Sequence, residues 1–580
     1  MTNAARAIDD AITNLTAPSG PFEISQRVLD GAYYRTFAHA ATTLPQVLSP
    51  LRAHGDRDFL SFEGQRTSFD QFINDVDALA AALRHEFGVR SGDRVAIAMR
   101  NCPDWMTVFV AATFIGAIVV PVNSWGSAEE LEYTITDCGA SVLAADSTRA
   151  GLAADFVGRN SIDVLFSDVE SAFGDLPAAV VAKLRINRIE DVIAVHRGRQ
   201  YQAGAPLPED VAMLLYTSGS TGRPKGVIYR HIAIGQAMMN MMLWGALTMA
   251  LSDGLEPRGA ATGEAQLLTV PLFHATGLLS GFLLPCMVGH KVALVRKWDA
   301  ETAMRIIATE GITAITSVPA ILKDLLTHPK LGDYDLSSIT RVAAGGSATP
   351  ADLPDLLRDK LGIVARAAGY GMTETTGIGS AMSGPLAELK PLSSGILSPI
   401  IECRGADSSG AIVEPGQEGE IQLRGVTVTP GYWQRDDLTA EAFTADGWLR
   451  TGDIGHVDDD GFLHITGRIK EIVVRGGENI APNEIEDAVY RHPAVKDAAV
   501  FGVPDDVMGE ELAMVCQPRP DAILTEVELR QHLRQILPKF KVPKYIMLSP
   551  DPLPRNISEK IDRRRLQRDW ASIQTSSRTD

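Results

Sequence analysis

Five cysteines, Cys102, Cys138, Cys286, Cys403 and Cys516, are too few and too scattered for a disulfide framework, and no two form a C-x-x-C pair. An odd number of isolated thiols, most of them in apolar runs, predicts reduced side chains in a cytoplasmic protein. Basic residues are outnumbered: 54 Lys and Arg stand against 72 Asp and Glu, a net charge of −18. That argues against a nucleic acid or an anionic membrane as the main partner, because each needs a basic footprint. Anionic small ligands stay open, since they need only a local positive site. The twelve histidines show no H-E-x-x-H or other metal spacing, and no G-x-S-x-G marks a serine nucleophile. The long apolar runs are broken, 105–128 by Gly116 and Pro121 and 267–288 by two prolines and His274. Buried helix and strand explain both runs better than a transmembrane segment. The first ten residues carry two aspartates and no apolar core, so no secretory signal is predicted.

What is present is a globular composition, 45% apolar and 22% charged, with 51 glycines. A chain of 580 residues exceeds one compact core, so at least two domains are expected. Residues 1 to about 35 read as a loose extension. From Phe59 onward helical and apolar strand patterns alternate: helix 69–87, strand 94–99, helix 105–115, strand 117–121, helix 128–137 and strand 141–145. Such alternation predicts an α/β domain with a largely parallel sheet. A Met-rich helix is predicted over 232–249, and its Met238, Met239, Met241 and Met242 suit either core filling or an acyl pocket. Residues 253–265 read as an exposed Gly/Ala loop. From about Ile396 frequent turns between short alternating strands predict a β-rich subdomain. A last α+β unit begins near Arg468, which sets expected domains of 1–467 and 468–580.

The most specific stretch is Tyr216–Thr217–Ser218–Gly219–Ser220–Thr221–Gly222–Arg223–Pro224–Lys225–Gly226. Apolar runs flank it, so it reads as strand, glycine loop, strand. The glycines allow close backbone approach, and four hydroxyls with Lys225 make a donor-rich cradle suited to a polyphosphate. It is not a Walker loop, which needs G-x-x-x-x-G-K-[ST] opening a helix. Five further segments follow in order: 271–277 (PLFHATG), 370–375 (YGMTET), 447–453 (GWLRTGD), 467–484 (GRIKE through RGGEN to Pro482 and Glu484) and 554–561 (PRNISEKI).

Together these six segments resemble the adenylate-forming superfamily of acyl-CoA synthetases, peptide-synthetase adenylation domains and luciferases. The resemblance implies a large N-terminal α/β domain with a β-rich subdomain at 396–467, and a small mobile C-terminal domain. It implies ATP-dependent activation of a small-molecule carboxylic acid, with Mg²⁺, and transfer to CoA. It assigns Thr217, Ser218, Gly219, Ser220, Thr221, Gly222 and Lys225 to the β- and γ-phosphates. Thr373 falls to the α-phosphate, Glu374 with Thr221 to Mg²⁺, and Asp453 with Arg468 to the ribose. Gly346, Ser347, Ala348, Gly369, Tyr370 and Gly371 form the adenine wall and pocket floor. Lys560 bridges carboxylate and α-phosphate oxygens, Lys470 is the hinge, and Gly476 and Gly477 line the CoA tunnel. His274, Gly345, Gly346, Gly371 and Asn479 face the acyl group. Each residue has a plainer reading: Glu374 as a helix cap, Asp453 as a turn former, Lys560 as part of a solvated basic run with Arg563, Arg564 and Arg565. Asp458–Gly461 reads as a hairpin turn, not a metal site.

Where peptide-synthetase domains place an Asp for a substrate ammonium, this sequence has His274. The expected acid is therefore a medium or long fatty acid or a bulky aryl or alicyclic acid. His274 reads as an aromatic or imidazole gate, or as a satisfied core histidine. One departure stands out: Glu559 precedes Lys560 where the superfamily usually has glycine. Transfer to a carrier protein, or a catalytically silent nucleotide-binding relative, are the alternatives, and a homodimer is compatible with the sequence.

Overall fold

The computed structural model describes residues 3–576 apart from 171–175, 219–222, 252–263, 345–352, 364–366, 378, 384–388, 391–392, 477, 506, 520–521 and 556–559. Its N-terminal part is built on two large sheets. In one, strands run in the spatial order 224–230, 211–218, 118–121, 94–98, 142–146, 163–167 and 185–188. In the other the order is 341–344, 314–317, 265–268, 291–294, 58–62 and 65–68. Both are parallel except where 211–218 meets 224–230 and where 58–62 meets 65–68.

Helices Phe69–His85 and Pro103–Phe114 lie between the two sheets, in one core that also takes Leu60, Val95, Ile97, Leu268 and Leu294. That position explains why every residue of Pro103–Phe114 from Trp105 onward is buried: a helix packed on both sides is apolar all round. The outer sheet faces are covered by helices Ala128–Cys138 and Ser147–Asn160 on one side, and by Ala300–Glu310, Pro319–Leu326 and Leu353–Leu361 on the other. A four-stranded antiparallel sheet (401–406, 419–425, 449–457, 463–468) follows, and then a five-stranded sheet with helices Pro482–Tyr490 and Glu526–Ile536. The turn at 458–461 joins two antiparallel strands, as the Asp–Gly pattern predicts.

From residue 3 to residue 37 the chain is not the loose extension expected of residues 1 to about 35. It forms helix Asn3–Leu15 and hairpin Ile24–Leu29/Ala32–Phe37. Both pack on the long helix His231–Leu251: Ile8 meets Trp244 and Leu247, and Gln236 both accepts from Phe37 N–H and donates to its carbonyl. Gly235 lets this helix approach the chain at Ala41, where any Cβ would collide with the carbonyl oxygen. By length and composition His231–Leu251 could cross a membrane; here it is a core helix, with 67% of its most apolar window buried. Residues 469–471 form a 3-10 turn, and the first strand of the C-terminal unit starts at Val473.

Candidate active site

Strands Val211–Ser218 and Pro224–Arg230 pair antiparallel, with Thr217 opposite Lys225 and Ser218 opposite Pro224. Strand Pro224–Arg230 is the edge strand of the seven-stranded sheet. Gly219, Ser220, Thr221 and Gly222 lie outside the described residues, as do Gly345, Gly346, Ser347, Ala348, Gly477 and Glu559. The Tyr216 hydroxyl donates to Asp137 Oδ2 at 2.6 Å, and Trp433 N–H donates to Gly226 O at 2.8 Å, so the start and end of the loop are both anchored.

Segment 427–433 ties this edge to the turn Thr373–Thr375. Thr429 N–H donates to Glu374 O, its hydroxyl to Ile228 O, and the Thr376 hydroxyl to Thr427 O. The Tyr432 hydroxyl donates to Glu374 Oε1 at 2.9 Å, and Lys225 Nζ lies 4.6 Å from the centre of the same ring. Burial and the Glu374 charge push the Tyr432 phenol above its usual range, so it stays a donor. Lys225, Tyr432 and Glu374 thus form a cation–ring–carboxylate chain, with half-exposed Thr373 beside it. Among the described residues no three His, Cys, Asp or Glu side chains gather into a metal site. Glu374, buried and with one oxygen held by Tyr432, fits a cation that takes most of its ligands from phosphate oxygens.

A second node forms where the antiparallel sheet meets strand Ala367–Tyr370. Asp453 sits opposite Arg468 across two strands and is buried. Its Oδ2 accepts from the Tyr370 hydroxyl and its Oδ1 from Arg468 Nε, each at 2.7 Å. Lys560, whose side chain keeps an exposed face, lies within electrostatic reach of this node: partial desolvation, then the Arg468 charge, holds its ammonium below the usual lysine range, while Glu471 and Asp453 pull it back up. The same lysine, after burial, lowers the pKa of His274 to about 4. His274 is therefore a neutral imidazole at physiological pH, and its Nε2 is buried without a partner among the described residues. It caps a short helix that passes into a π turn, Leu279–Leu283, and Phe273 packs 4.4 Å from its ring.

The hairpin Val473–Arg475/Glu478–Ile480 lies in the C-terminal sheet. Gly476 adopts φ +59°, where a side chain would be strained and would strike Met508. Its N–H donates to Met508 O, and Arg475 pairs with buried Glu511. Lys470 lies in the one-turn helix 469–471, between the two sheet systems. Arg563 is not a solvated charge: it pairs with Glu471 at 3.2 Å and with buried Glu486.

The structure therefore brings Lys225 to Glu374 through Tyr432, and Lys560, Asp453, Arg468, Tyr370 and His274 into a second cluster. Gly369 and Gly371 flank Tyr370 in chain order, while Gly476 and Asn479 sit on the C-terminal hairpin. Tyr432 was missed in the sequence; the Pro-Gly-Tyr-Trp run at 430–433 was its only signal. Tyr432→Phe is expected to cut adenylate formation roughly 10-fold, because a charged acceptor loses its donor. Pyrophosphate–ATP exchange reads this, and an unchanged rate would dissociate Tyr432 from the site.

A buried carboxylate that fits a cation, with Lys225 beside it and Lys560 in electrostatic reach of Asp453 and Arg468, suits an enzyme that handles anionic substrates. The family model for AMP-binding enzymes matches residues 49–433, and that for their C-terminal domain matches 484–560. The chain belongs to the AMP-binding enzyme family. It is 33% identical over 499 residues to a feruloyl-CoA synthase of Amycolatopsis sp, covering 86% of this chain and 93% of the relative. It is 31% identical over 537 residues to the 3-[(3aS,4S,7aS)-7a-methyl-1,5-dioxo-octahydro-1H-inden-4-yl]propanoyl:CoA ligase of Rhodococcus jostii (strain RHA1), covering 90% and 97%. Among solved structures, o-succinylbenzoate CoA synthetase from Bacillus subtilis, in complex with its acyl-adenylate intermediate, superposes with a TM-score of 0.71 at 26% identity, covering 90% and 97%.

Proposed function

We propose that this chain is an ATP-dependent carboxylate–CoA ligase. A carboxylate oxygen attacks the ATP α-phosphorus, pyrophosphate leaves, and an acyl-adenylate forms. The CoA thiol then attacks the acyl carbon, and AMP leaves with the pair of electrons of the broken C–O bond. The observation that carries this reading is the match of residues 49–433 and 484–560 to the AMP-binding enzyme models, together with Lys560 within electrostatic reach of Asp453, Arg468 and His274. There an ammonium meets both anions of the first step, the carboxylate and the α-phosphate. Bringing two anions together is a problem of charge and position, which such a group solves.

The remaining roles are those that the resemblance to the adenylate-forming superfamily implies. The 217–225 loop and Lys225 hold the β- and γ-phosphates, and Thr373 the α-phosphate. Asp453 holds the ribose, with Tyr370, Gly369, Gly371 and 346–348 around the adenine. Glu374, with Thr221, holds Mg²⁺, which when bound neutralises phosphate charge. Gly476 and Gly477 pass the pantetheine arm, and His274, Gly345, Gly346 and Asn479 face the acyl group. The chain divides into 1–467, with the β-rich 396–467, and 468–580, which turns about Lys470. Five free cysteines, four of them buried, suit a reducing cytoplasm. The relatives named for feruloyl and dioxo-octahydroindenyl acids favour a bulky aryl or alicyclic substrate.

Incubation with ATP, Mg²⁺, CoA and pooled acids from acetate to long-chain, aryl and alicyclic members tests this by mass spectrometry. A CoA thioester of a bulky acid is the expected product. Acyl-adenylate that CoA never consumes would move the assignment to another acceptor. Glu559→Gly is expected to leave adenylation equal or faster, since it removes a negative charge beside Lys560; a large loss would give Glu559 a positive role.

A further inference from the structure

The Met-rich helix carries one amide that nothing in its own fold explains. Asn240 is fully buried on a helix where Leu243, Leu247, Met238 and Met239 are its buried neighbours. Its Oδ1 accepts from the Ser398 hydroxyl at 2.8 Å, but its Nδ2 has no hydrogen-bond partner among the described residues. An unpaired buried N–H is costly, and leucine would fill the same position more cheaply.

The surroundings connect this amide to the candidate site. Ser398 N–H donates to Gly379 O, and Gly379 N–H donates to Tyr370 O, so three hydrogen bonds lead from Asn240 to Tyr370 and a fourth to Asp453. Met241, the next residue, brings its sulfur 3.9 Å from the Ser280 hydroxyl in the π turn that follows His274. Across from that turn, a Cβ on Gly377 would press on Leu279. The helix therefore meets the π turn that follows His274, and Gly377 packs on the same turn. π turns recur at functional sites, and methionine side chains give way readily to a guest.

We propose that Asn240 is a specificity residue, whose free N–H receives a carbonyl or ether oxygen borne on the acyl skeleton of the substrate, distant from its carboxylate. This rests on the ligase reading above and narrows it to acids that carry such an oxygen. A site with a buried donor rejects a ligand that leaves the donor unpaired far more strongly than an apolar pocket rejects an extra methylene.

The test is a matched pair of alicyclic propanoic acids, one with a ring ketone and one with methylene in its place, assayed for thioester formation. Wild type is expected to favour the ketone by about 10- to 100-fold in kcat/KM. Asn240→Leu is expected to abolish that preference, chiefly by lowering kcat/KM on the ketone. Equal kcat/KM for both acids in wild type would overturn the proposal without the variant having to fold. An undiminished ketone preference in folded Asn240→Leu would overturn it as well. Thioester from neither of these nor from any pooled acid would overturn the ligase reading, and this proposal with it.

Discussion

Lys560→Ala is expected to slow acyl-adenylate formation by on the order of 100- to 1000-fold, as removal of a group that stabilises transition-state charge does. The loss should be confined to that step. Lys560 lies within electrostatic reach of Asp453, Arg468 and His274, whereas the hairpin at 475–478 is the part proposed to receive CoA. Thioester formation from supplied acyl-adenylate should therefore survive. The ammonium form exists below its pKa and is lost as pH rises through it. Because partial desolvation and Arg468 lower that pKa, the alkaline limb of adenylation should fall earlier than for a free lysine. Lys560→Arg keeps the charge at all pH values and should remove that limb while lowering the plateau, since the planar guanidinium reaches differently. Equal loss in both half-reactions, or an alkaline limb unchanged in Lys560→Arg, would contradict this placement.

Lys470→Pro is expected to have the opposite effect. The residue lies early in a one-turn helix, a position whose backbone proline matches. The pose described, with Lys560 at the site, should persist, and adenylation should stay within a few-fold of wild type. Proline fixes φ, however, so the domain could not turn to bring Gly476 and its neighbours forward. Thioester formation should fall at least 100-fold. Stopped assays that measure adenylate and thioester separately distinguish the two, and parallel loss of both would remove the hinge.

Much of the α/β rhythm was legible because each element carries its own period. Helix Phe69–His85 and strand Val142–Asp146 fall within a residue or two of their predicted limits. The N-terminal segment was not, because its evidence lies elsewhere. Ile8 has meaning only against Trp244 and Phe462, hundreds of residues downstream. The hairpin did leave a local sign: Asp30–Gly31, both at positive φ, is the preferred pair for a tight two-residue turn. In the candidate site, Glu374, Asp453 and Lys560 stood out through motif order. Their mutual arrangement did not, since Tyr432 and Tyr370 connect them across separate sheets. Asn240 was invisible for a related reason, because a single amide in an apolar helix becomes informative only when its missing partner is seen.

The most direct measurement of the central proposal is a single turnover run in two stages. The protein is first mixed with ATP, Mg²⁺ and a bulky alicyclic or aryl acid, without CoA, and then with CoA. The expected result is pyrophosphate and enzyme-bound acyl-adenylate in the first stage, then AMP and acyl-CoA in equal amount in the second. ADP with an acyl phosphate in the first stage, or an adenylate that persists after CoA is added, would contradict it.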